Sequence, residues 1–233
     1  MLGIDKAVCL CLDKRKEEWL DLEKQCLAKG LEFERFVVGD GKTLDASEYD
    51  RVDDPNPPVE NWSYGNEVTK INHYNAFMSH QAIIQKAKED GLNSILLLED
   101  DAYFTERFDD VLEKLDKQTN IDSLPYDILF LGWWIGEADD EWNLTAERLY
   151  NEHGSISVGK VSEAHFTCGG LHGVIIRRGM FNKILELDPI NPIDSQLNGM
   201  HHEINSFYVI PKIIHDKGIF SNCEQGITPR KKL

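Results

Sequence analysis

Apolar residues in this chain follow two rhythms. Residues 7–12 form a short continuous apolar run, the mark of a strand covered on both faces. Over residues 16–29 the period lengthens, with Trp19, Leu22, Cys26 and Leu27 at helical spacing and Gly30 as the stop. Residues 33–38 return to a strand and end in Gly39-Asp40-Gly41. A strand–helix–strand opening predicts a mostly parallel sheet. A second unit repeats the logic. Residues 70–90 carry Ile71, Tyr74, Phe77, Met78, Ala82 and Ile84 on one broad helical face, and the apolar run Ser94-Ile95-Leu96-Leu97-Leu98 follows Gly91. Between the two units, residues 45–66 are acidic and broken by Asp53-Asp54-Pro55-Asn56-Pro57-Pro58, which predicts a long surface loop.

The remainder predicts a helix over 108–117, a buried strand over 127–131 running into Gly132-Trp133-Trp134, and an acidic loop over 136–143. Short β-like runs at 158–162 and 171–176, a helix over 179–187 and an extended segment over 207–215 complete it. No internal repeat is visible. The fold class expected is α/β: a central, mostly parallel sheet flanked by helices, with a smaller mixed β region. One domain over 1–233 is expected, with a nucleotide half to about 132 and an acceptor half after it.

Charge narrows the partners. A formal net charge of −16 argues against a nucleic-acid ligand, which draws on a basic surface. The tail Arg230-Lys231-Lys232 offers at most a weak contact with an anionic membrane, and a solvated terminus is the plainer reading. No apolar run approaches the roughly 20 residues of a membrane helix, and the stretch at 7–12 is too short for a secretory signal. A cytoplasmic protein is expected. Five cysteines with irregular spacing give no disulfide framework, and Cys9, Cys11, Cys26 and Cys168 are expected as reduced core or near-core residues.

The chemistry is concentrated where the strand at 94–98 meets Glu99-Asp100-Asp101. Three adjacent acids at the end of a buried strand repel one another and resist desolvation, and a divalent cation with oxygen ligands would relieve both costs. Alternation sends Glu99 and Asp101 to one side and Asp100 to the other. In open α/β sheets ligands bind beyond the carboxyl ends of strands, where these acids lie. Rival motifs fail. Gly39-Asp40-Gly41-Lys42-Thr43 lacks the glycine that a phosphate loop needs at Phe36, and Leu12-Asp13-Lys14-Arg15 has no glycine-rich turn. His165, Cys168 and His172 lack the paired spacing of a zinc site, so a glycine-bearing loop close to a ligand is the better reading. His201-His202-Glu203 lacks zinc-protease spacing and predicts a polar loop or helix start. Pro192-Ile193-Asp194 sets an acid after a proline-rich turn.

These residues together resemble glycosyltransferase family 25, the lipooligosaccharide and collagen galactosyltransferase group. The likeness runs over Cys11-Leu12-Asp13-Lys14-Arg15, Phe36-Val37-Val38-Gly39-Asp40-Gly41, and Ser79-His80 followed by Leu98-Glu99-Asp100-Asp101. It continues through Cys168-Gly169-Gly170, Ile176-Arg177-Arg178-Gly179, Pro192-Ile193-Asp194 and Ile210-Pro211-Lys212-Ile213-Ile214. The resemblance implies a GT-A fold and inverting transfer of a sugar, galactose from UDP-galactose, to a carbohydrate or glycoconjugate acceptor, as in lipopolysaccharide biosynthesis. It implies donor contacts from Leu12, Asp13, Arg15, Asp40, His80, Glu99 and Asp100, and Mn²⁺ or Mg²⁺ on Asp101 and Glu99. His215, by analogy with late histidines of other GT-A enzymes, is a third candidate ligand. Asp194 is the first choice of general base and Glu203 the second. Gly169, Gly170 and His172 are expected at the acceptor. Lys14, Arg15 and Lys70 are expected to offset the diphosphate charge. Two other classes stay open. A metal-dependent phosphohydrolase or nucleotidyltransferase could use the same acids, although Glu99 stands where an aspartyl-phosphate enzyme needs Asp. A non-catalytic sugar-binding module could use exposed Trp133, Trp134 and Trp142.

Overall fold

The strand–helix–strand opening forms as β1 (Lys6–Leu12), α1 (Lys16–Ala28) and β2 (Phe33–Val38), with β1 and β2 parallel. The structure is a computed structural model, and the residues it describes are 2–12, 14–38, 69–119, 124–134, 139–163, 169–217, 220–221 and 226–227. The acidic loop expected at 45–66, Asp13, Asp40, His165, Cys168 and the basic tail lie outside them. Next come α2 (Thr69–Glu89), β3 (Ser94–Glu99), β4 (Ala102–Phe104), α3 (Phe108–Thr119) and β5 (Ile128–Phe130). They are followed by α4 (Asp139–His153), β6 (Ser157–Lys160), β7 (Val174–Arg177), α5 (Arg178–Leu185) and α6 (Ile193–Met200). β8 (Ser206–Ile210) and β9 (Ile214–Asp216) come next, and a two-residue pair, β10 (Phe220–Ser221) with β11 (Gly226–Ile227), ends the described chain.

Seven strands form one sheet in the order β2-β1-β3-β7-β5-β8-β6. β2, β1 and β3 are mutually parallel, as are β5 and β8, while β7 is antiparallel to both its neighbours and β6 is antiparallel to β8. Side chains alternate across the sheet into two apolar layers. Val8, Ile95, Leu97, Ile128, Phe130, Val174 and Ile176 meet Phe77, Ile83 and Ile84 of α2, Phe181 of α5 and Leu197 of α6. Ala7, Cys9, Cys11, Leu96, Leu98, Leu129 and Ile175 meet Trp19 and Leu22 of α1 and Phe108, Val111 and Leu115 of α3. Both faces are covered, which is why these strands are continuously apolar.

Several sequence expectations need correction. The acidic stretch at 136–143 is not all loop, because α4 begins at Asp139. The extended segment at 207–215 is two strands, split at the cis Ile210–Pro211 bond, and the run at 171–176 becomes a strand only from Val174. The β-like run at 158–162 stops at Lys160 and gives way to a 3₁₀ turn over Val161–Glu163.

One close approach locks the two halves of the sheet. Leu131 and Gly132 both donate their N–H to the Gly173 carbonyl, and the Ile213 and Ile214 N–H groups return to the Leu131 carbonyl. A Cβ on Gly132 would sit 2.7 Å from the Ile214 carbonyl oxygen and 2.8 Å from His172 Cδ2. Because the first of these is backbone, Gly132→Ala is expected to cost about 1–3 kcal/mol, the scale of overpacking. It should lower the urea midpoint with the slope unchanged, and an unmoved midpoint would contradict the packing described.

Candidate functional site

Glu99, which ends β3, and Asp100, which follows it, point to opposite sides. Asp100 turns back into the seam between β1 and β3. Its Oδ2 accepts the Leu12 N–H at 3.0 Å and its Oδ1 accepts Arg15 Nη1 at 2.6 Å. The carboxylate is 7% exposed and the guanidinium 14%, so this is a buried ion pair. Burial pushes the Asp100 carboxyl up from its ordinary range, outweighing the Arg15 charge and the Leu12 N–H, which pull it down. The turn after β1 is closed by Arg15 N–H donating to Leu12 O at 3.0 Å, so Asp100 pins a turn already folded on itself. Leu12 and Arg15, expected as donor contacts, therefore hold this acid, and the Arg15 charge expected at the diphosphate is shared with it.

Glu99 faces the other way. Its side chain is 39% exposed, and Oε1 stands 4.0 Å from His80 Nε2 on α2. The meeting follows from chain geometry. α2 runs back along β3, and the nine-residue rise from His80 to the helix end, about 14 Å at 1.5 Å per residue, nearly matches the length of β3. Gln81 fixes the helix by donating Nε2 to the carbonyls of Ile184, Leu185 and Leu187 at 2.9, 3.3 and 3.0 Å. His80 is 4% exposed, and neither ring nitrogen makes a well-formed hydrogen bond among the described residues. Burial pushes its imidazole down to about 4, against the opposing pull of Asp194 and of the Ala76 backbone. It is therefore neutral at physiological pH. Ser79, its partner in the sequence motif, is buried and donates to the Asn75 carbonyl at 2.6 Å, a bond within the helix.

Asp194 joins from α6, which opens after Pro192. Its Oδ1 accepts the Ser195 N–H at 2.8 Å and its Oδ2 the Gly170 N–H at 3.1 Å. Topology delivers Gly170 there. β7 runs antiparallel between β3 and β5, pairing Val174 with Leu97 and Phe130, so the residues preceding it cross the carboxyl edge of both. Gly170 has φ +79, where a side chain would be strained, and a Cβ there would also come 2.9 Å from His172 Nδ1. Gly169 and Trp134 exchange backbone hydrogen bonds at 2.8 and 2.9 Å. The C-terminal end of β3, the middle of α2, the start of α6 and the 169–170 turn thus share one edge of the sheet.

Of the other expected residues, Glu203 lies elsewhere. Glu203 is exposed, and the chain resumes at β8 with Ser206 opposite Ile128, beside Asp127 and Arg177. That is the opposite edge of the sheet from Glu99, so Glu203 does not join Asp194. His201 is buried and bonded to Asn198 Oδ1 at 2.8 Å and Ser206 Oγ at 2.7 Å, a structural role. His215 stacks on Tyr103 in the β4–β9 ladder, with ring centroids 5.7 Å apart, while the Asp101 carbonyl accepts the Lys217 N–H at 2.8 Å. Among the described residues no three His, Cys, Asp or Glu side chains form a metal cage. His172 is buried beneath the glycine turn, against Gly132 and Gly170. Trp133, expected exposed, is fully buried, donating Nε1 to the Val209 carbonyl at 3.0 Å beneath the Lys212 ammonium. Trp142 falls in α4, and its side chain is outside the described part. Sequence reasoning missed Gln81 and Lys212; the latter is buried and donates Nζ to the Trp133 carbonyl at 2.8 Å. Neither carries a periodicity signal.

The sequence profile of glycosyltransferase family 25 (LPS biosynthesis protein) matches residues 10–152. The chain belongs to glycosyltransferase family 25. The match takes in Leu12, Arg15, His80 and the acid triplet, whereas Asp194 and the glycine turn lie beyond it. Zebrafish (Danio rerio) procollagen galactosyltransferase 1 is 24% identical over 209 residues, 87% of this chain, and the chain spans 32% of that relative's length. Two solved structures are distantly similar. One is a glycosyltransferase involved in the glycosylation of the major capsid of PBCV-1, 9% identical with a TM-score of 0.35, over 85% of this chain and 68% of that one. The other is mouse xyloside xylosyltransferase 1, 12% identical with a TM-score of 0.38, over 86% and 77%.

Two outcomes are expected in this family 25 site. Arg15→Ala leaves Asp100 buried without its cation and should cost about 3 kcal/mol at neutral pH. The folded form of Asp100 holds its proton more tightly than the unfolded chain does, so the deficit should shrink as pH falls and the acid protonates. Denaturant titrations at two pH values check this, and a deficit independent of pH would contradict it. His80 should titrate near 4 by NMR rather than near its ordinary 6.5. Between those values the unfolded chain binds the proton and the native one does not, so His80 lowers stability by about 3 kcal/mol as pH falls through that window. A midpoint near 6.5 would show that the imidazole is not sealed from water.

Proposed function

We propose that the protein transfers galactose from UDP-galactose to a hydroxyl of a carbohydrate or glycoconjugate, with inversion at the anomeric carbon, on a scaffold of the GT-A type. The observation that carries this reading is the convergence of Glu99, His80, Asp194 and Gly170 at the carboxyl edge of the sheet in a family 25 chain. The galactosyltransferase name of the zebrafish relative supports the choice of sugar.

Asp194 serves as general base. Its two oxygens are oriented by the Gly170 and Ser195 N–H groups, and each keeps lone-pair capacity for an incoming proton. It takes the proton of the acceptor hydroxyl as that oxygen bonds to the anomeric carbon. The bond from that carbon to the diphosphate oxygen breaks on the opposite face, and UDP leaves with the electron pair. His80, neutral and buried, hydrogen-bonds a hydroxyl of the transferred sugar without adding charge.

The donor set suits Mn²⁺ or Mg²⁺ in part. Glu99 and Asp101 offer hard oxygens at the end of β3, and a small divalent cation shared with a diphosphate needs only one or two protein carboxylates. Asp100 fits poorly as a ligand, because it is buried against the turn after β1 and its charge is already paired with Arg15. When bound, the ion would supply charge stabilisation to the departing diphosphate. Among the described residues no helix is long and apolar enough to cross a membrane.

Mixing the protein with UDP-galactose, Mn²⁺ and carbohydrate acceptors should release UDP; release of inorganic phosphate would favour a hydrolase, and no release a binding module. Asp194→Asn is expected to cut turnover by roughly 10²–10⁴-fold, the scale of a lost general base, with UDP-galactose affinity retained. Collapse of donor affinity would move Asp194 out of the base role.

A further inference from the structure

Trp133 and Trp134 are adjacent and have opposite fates: the first is fully buried and the second is 43% exposed. The Trp134 backbone is held by both hydrogen bonds of its bridge to Gly169, so the exposed indole rides on a fixed strand end. Gly169 itself lies between two groups of unlike chemistry. A Cβ placed on it would stand 3.6 Å from Asp194 Oδ2 and 3.7 Å from Trp134 Cε3. Nothing about its φ requires glycine. The place a Cβ would take is bordered at ordinary contact distance by the carboxylate, by the indole and, also at 3.7 Å, by the Trp134 carbonyl oxygen. His80 is near enough to feel the Asp194 charge, is 4% exposed and among the described residues has neither ring nitrogen in a well-formed hydrogen bond, and Glu99 Oε1 stands 4.0 Å from its Nε2.

A sugar ring has matching chemistry: a rim of hydroxyls and an apolar C–H face that packs on aromatic rings. An aliphatic hydroxyl on a polypeptide side chain has the hydroxyl but no disc to cover an indole. The geometry points to an acceptor subsite in which the Trp134 indole stacks on a pyranose ring, Gly169 leaves room for it, and one ring hydroxyl reaches Asp194. The acceptor is thereby a carbohydrate rather than a bare polypeptide. This rests on the transferase reading above for the role of Asp194, but the stacking is independent of it. Trp134 is a specificity residue in this scheme, acting on the acceptor and not on the donor.

The probes are methyl β-glycosides of galactose, glucose and N-acetylglucosamine, set against a peptide bearing aliphatic hydroxyls. Binding is read by saturation-transfer NMR and turnover by UDP release. At least one glycoside should bind and accept sugar. Trp134→Ala should raise its KM roughly tenfold or more while Trp134→Phe, which keeps a ring face, stays within about threefold. The donor KM should not move in either. Gly169→Ala adds a methyl at ordinary contact distances, so it should fold normally, with an unchanged thermal midpoint, and raise the glycoside KM as well. An unchanged glycoside KM in both Trp134→Ala and Gly169→Ala overturns the subsite, as does turnover on the peptide with no glycoside bound. If wild type releases no UDP but binds a glycoside that Trp134→Ala does not, the subsite stands and the transferase reading falls.

Discussion

A carboxylate buried between two strands organises this site. Asp100 receives the Leu12 N–H and the Arg15 guanidinium, tying the turn after β1 to the end of β3. An ion pair in that setting is weak as net stabilisation, since desolvation offsets much of the attraction, but it is strongly directional. It fixes where the chain leaves β3, while strand alternation turns Glu99 to the other side, toward His80. One acid of the triplet is thereby structural, and Glu99 and Asp101 are the two to which the proposed donor chemistry falls.

The second half of the site depends on the orientation of one strand. Because β7 enters antiparallel between β3 and β5, the Gly169–Gly170 turn crosses the edge where β3 ends, and α6 supplies Asp194 to meet it. A parallel strand in that place would have carried the turn to the other edge, away from Glu99. The glycines suit the place for different reasons: Gly170 for its φ of +79, Gly169 for the space beside Asp194 and Trp134.

Much of the sheet was legible because periodicity reports burial. The apolar runs of β1 and β3, the helical faces of α1 and α2 and the span of α3 stand where the sequence puts them, within a residue or two. The placement of Asp100 opposite in sense to Glu99 follows from strand alternation alone. What was not legible depends on pairing in space. Nothing local distinguishes Trp133 from Trp134, and only the approach of β8, with its Val209 carbonyl, and of Lys212 buries the first. Glu203 and Asp194 look equivalent in sequence, yet they sit at opposite edges of the sheet because α6 separates them. The β4–β9 ladder, which sets His215 against Tyr103, two residues past Asp101, is likewise a pairing that no sequence spacing reveals.

The central proposal is that the carboxyl edge of β3, tied to the turn after β1 by the Asp100–Arg15 pair, binds the diphosphate of a nucleotide sugar. Calorimetric titration of UDP-galactose into the protein, with and without Mn²⁺, tests it most directly. The account predicts saturable one-to-one binding that is strengthened by the ion and lost when Glu99 and Asp101 are both replaced by their amides. Equal heats with and without Mn²⁺, or full binding to the doubly amidated protein, would contradict it.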